Sequence, residues 1–192
     1  GGKIYKQRYE RGNACYELKE IGTCPEEETG TTVTFLPDPE IFQETTVFEY
    51  DILKQRLREM AFLTRGLRIT LRDEREDDVH SPQDQSFYYE GGIREFVQYL
   101  NRSSSPLYPQ IIYCEGEKNG VLVEVAMQHN DGFKENTYGF VNNIVTPEGG
   151  MHVEGFRAAI TKTFNDYARN NKLLKDSEPN LSGEDIREGM TA

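Results

Sequence analysis

The chain predicts an α+β fold, and three observations carry that expectation. Apolar, β-branched or alternating runs mark strands at residues 3–10, 31–36 and 67–72. A Lys118-Asn119-Gly120 turn between two such runs marks a hairpin, because Asn-Gly tolerates the positive φ of a tight two-residue loop. Apolar residues recurring every three or four positions mark helices near 49–65, 91–102 and after Gly155.

Taken in order, 3–10 is a strand. The acidic stretch 25–30 is a turn, and Thr31-Thr32-Val33-Thr34-Phe35-Leu36 is a second strand stopped by Pro37 and Pro39. Leu53, Leu57, Met60 and Ala61 line one side of a helix that Gly66 ends. Residues 67–72 alternate apolar and polar, as a half-buried strand does. The charged, Pro-containing run 73–86 reads as a loop, and a domain junction is placed at its end, giving domains 1–86 and 87–192. Ile93, Phe96, Val97 and Leu100 share a helix face; 111–117 and 121–129 form the hairpin; 138–145 is a further strand. In the last long helix Phe156, Ile160, Phe164, Tyr167 and Leu174 form a stripe, and Ser182 begins another helix with Asp185 at the reciprocal capping position.

Composition narrows the function. An apolar content of 36% over 192 residues supports a real core. No apolar run is long enough for a membrane span, and no secretory leader pattern opens the chain, so no membrane partner is expected and a cytoplasmic location is. A first residue other than Met suggests a fragment. Three widely spaced cysteines, Cys15, Cys24 and Cys114, argue against a disulfide framework or a zinc site. His80, His129 and His152 lack metal-ligand spacing, so no metal site is expected.

A net charge of −11 opposes indiscriminate binding to a polyanion. Between Met151 and Lys175, however, Arg157, Lys162, Arg169, Lys172 and Lys175 outnumber Glu154 and Asp166. On a continuous helix these cations span an arc of about 140°. Such a face is either simply solvated or contacts nucleic-acid backbone without reading sequence, with Asn165, Asn170 and Asn171 as further donors. No nucleophile elbow or complete phosphate-binding loop appears, and no catalytic residue is singled out. Thr29-Gly30-Thr31 is either a polar turn or the wall of a nucleotide pocket.

Five stretches, TGTTVTFLPDPEIF (29–42), FEYDILKQRLREMAFLTRGLRITLRDER (48–75), FYYEGGIREFVQYLN (87–101), the run from VEVAMQHNDGF to FNDYARNN (123–171) and LSGEDIREGMTA (181–192), together resemble the B subunits of type IIA DNA topoisomerases, the family of bacterial gyrase and topoisomerase IV. The resemblance covers nearly the whole chain in order. It implies that residues 1–86 are the C-terminal part of a GHKL ATPase α/β sandwich. Residues 87–192 would then be a ribosomal-protein S-five-like transducer domain with a left-handed βαβ crossover, truncated before its Gln-Thr-Lys loop.

By the same resemblance the whole enzyme uses ATP and Mg2+. Two B subunits close into a gate, duplex DNA is captured without regard to sequence, and a gyrase-type A subunit makes the break. Thr31 and Val33 match positions in the family's ATP pocket, and Arg157 matches an arginine facing the DNA cavity. Lys162, Arg169 and Lys172 extend that DNA-contact set through the basic face. The family's catalytic glutamate, its magnesium-binding asparagine and its glycine-rich lid have no counterpart in these residues, so tight ATP binding and hydrolysis by this polypeptide alone are not expected. The 130–157 stretch favours gyrase; topoisomerase IV, or a non-catalytic DNA-binding module of the same fold, is the alternative.

Overall fold

A computed structural model describes residues 1–76 and 82–192, so His80 lies outside the described residues. Two compact units emerge, 1–49 and 50–192. In the first, β1 (Lys3–Lys6) pairs antiparallel with β4 (Lys19–Thr23), and between them β2 (Tyr9–Glu10) pairs with β3 (Asn13–Ala14). The expected strand at 3–10 is thus two strands, the second turned back through Arg11 and Gly12, at φ 49° and 80°. Arg11 fixes this turn by ion pairs to Asp38 (2.8 Å) and Glu40 (2.9 Å).

The strand expected at 31–36 does not form. These residues have no regular structure, and Val33, Phe35 and Leu36 are exposed. β-propensity describes how well a side chain fits a pleated, half-buried surface. Among the described residues no strand runs beside this segment to provide one.

The second unit opens with α1 (Tyr50–Leu63), which buries Ala61 and Phe62 rather than Met60. β5 (Ile69–Asp73) follows and pairs antiparallel with β6 (Gln83–Phe87), from Ile69↔Phe87 to Asp73↔Gln83. The expected loop 73–86 therefore ends in a strand. Its polar residues face solvent, Thr70 and Ser86 bond across the ladder at 2.8 Å, and only Phe87 enters the core. α2 (Ile93–Leu100) runs into a 3-10 turn at Asn101–Ser103. Phe62 lies at the centre of the aromatic core that results. It stacks on Tyr89 with ring centroids 3.6 Å apart and meets Phe96 and Tyr99 at 5.2 and 5.5 Å.

β7 (Ile112–Lys118) and β8 (Val121–His129) form the expected hairpin, with Asn119 and Gly120 both at positive φ. The expected strand 138–145 is instead a second hairpin, β9 (Phe140–Val141) and β10 (Ile144–Val145), turned through Asn142 and Asn143 at φ 50° and 64°. α3 (Met151–Asn170) starts directly after Gly149-Gly150, so Gly155 lies inside the helix. α4 (Gly183–Arg187) leads to β11 (Met190–Thr191), which completes a sheet of order β11-β8-β7. Ile160, Ile186 and Met190 make a second core, with Met127, Phe156 and Phe164 against it.

Candidate functional site

α3 carries most of the residues singled out for DNA contact, and its geometry revises the basic face. The helix stops at Asn170, and Lys172 turns the chain away at φ 58°, so Lys172, Lys175 and Leu174 do not continue its faces. Tyr167, expected in the core, is exposed, while Asn165 and Ala168 are buried. Asn165 tolerates burial through its hydrogen bonds: its amide donates to the carbonyls of Thr161 and Leu181, both at 3.0 Å, and its oxygen accepts from Leu181 N–H at 2.8 Å.

The cations of α3 are also not equivalent. Arg157 lies close to the helix face that packs, its side chain 34% exposed, and donates to Glu135 at 2.8 Å and to Glu154 at 2.9 Å. Lys162 is exposed and pairs with Asp166 one turn on. Arg169 directs its guanidinium to the carbonyls of Lys175 and Glu178 and to the Asn180 side chain, closing the loop between α3 and α4. Lys172 is exposed.

Glu135 is the pivot of this region. One oxygen receives Arg157 and Thr137, each at 2.8 Å, and the other receives Arg187 of α4 at 2.9 Å. Burial opposes its ionisation, but the donors Thr137, Arg187 and Arg157 outweigh that cost and hold the carboxyl below the usual glutamate range. No local sequence pattern marks this role, because the arginine partners lie 22 and 52 residues away.

A buried polar network stands beside it. The Asn101 side-chain oxygen accepts from Asn130 (3.1 Å) and Thr191 (2.7 Å), while its amide donates to Gln128 (3.0 Å). His129 bonds the Ile186 carbonyl through Nε2 at 2.8 Å, which places the proton on that nitrogen. Its Nδ1 then accepts from the Tyr108 hydroxyl at 2.8 Å, and that oxygen accepts the His129 backbone N–H at 3.0 Å. Among the described residues no buried side-chain nitrogen or oxygen is left unpaired. The network joins the end of α2 to β8, α4 and β11, and fixes the framework around Glu135. Thr31 and Val33 belong to the other unit, both exposed on its irregular segment. Among the described residues no group of three or more His, Cys, Asp or Glu is placed to hold a metal, and no helix is long and apolar enough to cross a membrane.

Comparison with known proteins agrees with this architecture. The family model described as DNA gyrase B matches residues 92–192. The DNA gyrase B subunit of Halalkalibacterium halodurans is 52% identical over 191 residues, covering 100% of this chain and 29% of that protein. The DNA gyrase B subunit of Bacillus cereus is 51% identical, covering 100% of this chain and 46% of that protein. The chain therefore spans less than half the length of these relatives. Among solved structures, the 43K ATPase domain of Thermus thermophilus gyrase B in complex with an aminocoumarin superposes with a TM-score of 0.82 at 32% identity, covering 98% of this chain and 50% of that one. The B-subunit of the DNA gyrase from Myxococcus xanthus, at 20% identity, TM-score 0.76 and coverage of 100% and 52%, shares the fold. Helices and strands mix here as in those structures, and the chain belongs to the DNA gyrase B family.

Proposed function

We propose that this chain is the part of a cytoplasmic, ATP-dependent type II DNA topoisomerase B subunit, of the gyrase kind, that couples nucleotide state to closure of the DNA gate. The observation that carries this is 52% identity along the full chain to a DNA gyrase B subunit. In this reading residues 1–86 end the ATPase domain and 87–192 are transducer, a boundary supported by the family match starting at residue 92. Thr31 and Val33 line the ATP pocket, and Arg157, Lys162, Arg169 and Lys172 face duplex DNA. ATP and Mg2+ serve the whole enzyme, with a second B subunit and the A subunit as partners. The 192 residues alone neither bind ATP tightly nor hydrolyse it.

Supercoiling by the full-length B subunit paired with its A subunit, with and without ATP, tests the assignment. ATP-dependent negative supercoiling supports it; ATP-dependent relaxation or decatenation alone points to a topoisomerase IV activity. No ATP-dependent change overturns both and favours a non-catalytic DNA-binding module of the same fold. For the DNA face, Arg157→Ala is expected to lower the log–log salt slope of DNA binding by about 0.9, the loss of one phosphate contact. An unchanged slope removes Arg157 from the contact set. Stoichiometric ATP binding at micromolar concentration by the 192 residues would contradict their isolated inactivity.

A further inference from the structure

A groove separate from α3 runs between α1 and α2. Asp51, Lys54, Gln55, Arg58 and Glu59, at helical spacings of three and four, share one face of α1 and line a cavity of about 470 Å3. Phe96, Tyr99 and Leu100 face it from α2, with Arg102 and Tyr138 at its rim. Arg58 lies over the rings of Phe87 and Tyr99, at 5.3 and 5.1 Å, and donates to the Tyr99 hydroxyl at 2.7 Å. Arg102 lies over the same Tyr99 ring at 4.0 Å and donates to the Tyr99 carbonyl at 2.7 Å.

Among the described residues, the groove gathers three cations without carboxylate partners into one cavity. Arg56, Arg65, Arg72, Arg75, Arg157 and Arg187 all hold carboxylates. Lys54, Arg58 and Arg102 hold none among the described residues, although acids exceed bases 33 to 22 in the sequence. Glu59 is engaged by Arg56 and Gln55, both at 3.1 Å, which leaves Asp51 as the groove's one uncompensated acid. Aromatic rings fix the two guanidinium planes while most of their N–H donors stay unspent. This is a preorganised, net cationic cleft, and guanidinium forks beside an ammonium match a tetrahedral oxyanion.

We propose that the α1–α2 groove binds a phosphate group, held by Arg58, Arg102 and Lys54 against the Tyr99 ring. Such a site stands apart from both the gyrase reading and the α3 face. The test is calorimetric titration of the 192-residue chain with pyrophosphate at low ionic strength. Saturable one-to-one binding is expected, weakened at least about tenfold when Lys54→Gln and Arg102→Gln are combined. Arg102 is exposed and Lys54 half-buried, and circular dichroism verifies that the double variant folds. Arg72→Gln, which removes an exposed cation from β5, outside the groove, is expected to leave binding unchanged. Absence of saturable binding, equal binding by the double variant, or equal weakening by Arg72→Gln overturns the proposal. A short DNA duplex added as competitor then separates the sources. Displacement of pyrophosphate supports the site with nucleic-acid backbone as its ligand; no displacement supports it with a free phosphate compound.

Discussion

Arg157 and Arg187 share Glu135, one on each carboxylate oxygen, so a single acid ties the long helix α3 to the short helix α4. The side chains of Arg157, Arg187 and Glu135 are 34%, 16% and 23% exposed, deep enough for the pairs to feel reduced screening yet still in reach of water.

Glu135→Gln is expected to destabilise the fold by about 1–3 kcal/mol at neutral pH, since Arg187 loses its carboxylate partner and Arg157 loses one of its two. The pH dependence has a definite sign. The folded-state pKa of Glu135 is depressed, so its contribution is complete above the ordinary glutamate value of about 4.3 and disappears as pH falls through the lower folded value. Urea unfolding from pH 7 down to pH 3 checks this: the gap between wild type and variant is expected to narrow toward acid. A gap that stays constant would remove ionised Glu135 from the account.

Gly189 joins α4 to β11 at φ 69°, and a Cβ there would stand 2.5 Å from the Asn130 carbonyl oxygen and 2.6 Å from that of Gly132. Both obstacles are backbone, which cannot swing aside. Gly189→Ala is expected to cost about 2–5 kcal/mol, combining left-handed strain with overpacking. Thermal unfolding reads it directly, and an unchanged Tm would contradict the geometry.

Phe62→Ala removes a ring that is 1% exposed and touches three aromatic neighbours. A loss of about 3–5 kcal/mol is expected in chemical denaturation, with loss of near-ultraviolet dichroism from the tyrosines it orders. Met60→Ala on the same helix, a side chain 47% exposed, is the contrasting case and is expected to cost under about 1 kcal/mol.

Arg169→Ala releases two backbone carbonyls and the Asn180 side chain at once. The expected effect is local: amide exchange across 173–180 accelerates by about tenfold or more while the β7–β8 hairpin keeps its protection. Unchanged exchange in that loop would show that the other bonds suffice to close it.

What the sequence revealed was local, and what it hid was not. Asn119-Gly120 announced its hairpin because both residues accept positive φ, and Ser182 with Asp185 announced α4 because the capping box is complete within four residues. Residues 31–36 had strand composition but, among the described residues, no strand to pair with, and 83–87 formed a strand with almost no apolar alternation because its ladder to β5 supplies the bonds. The α+β class and the helices α1 and α2 were legible for the same reason as the turns. On α3 the spacing located the cations, but a helical period cannot reveal that Glu135 and Asn180 occupy their donors. The groove between α1 and α2 has no signature in the sequence because it needs two helices and a turn to exist.

Met190 and Thr191 are among the most deeply buried residues, and Thr191 bonds Asn101 across 90 positions of chain. During synthesis, therefore, the sheet's β11 edge and the polar cluster at the end of α2 stay open until nearly the whole of this region has left the ribosome. Such long-range closure is slow relative to helix or hairpin formation. The α1–α2 aromatic cluster has all its rings by residue 99, whereas the second core needs Met190, so a stall before residue 190 leaves Ile160 and Ile186 without the methionine that packs with them.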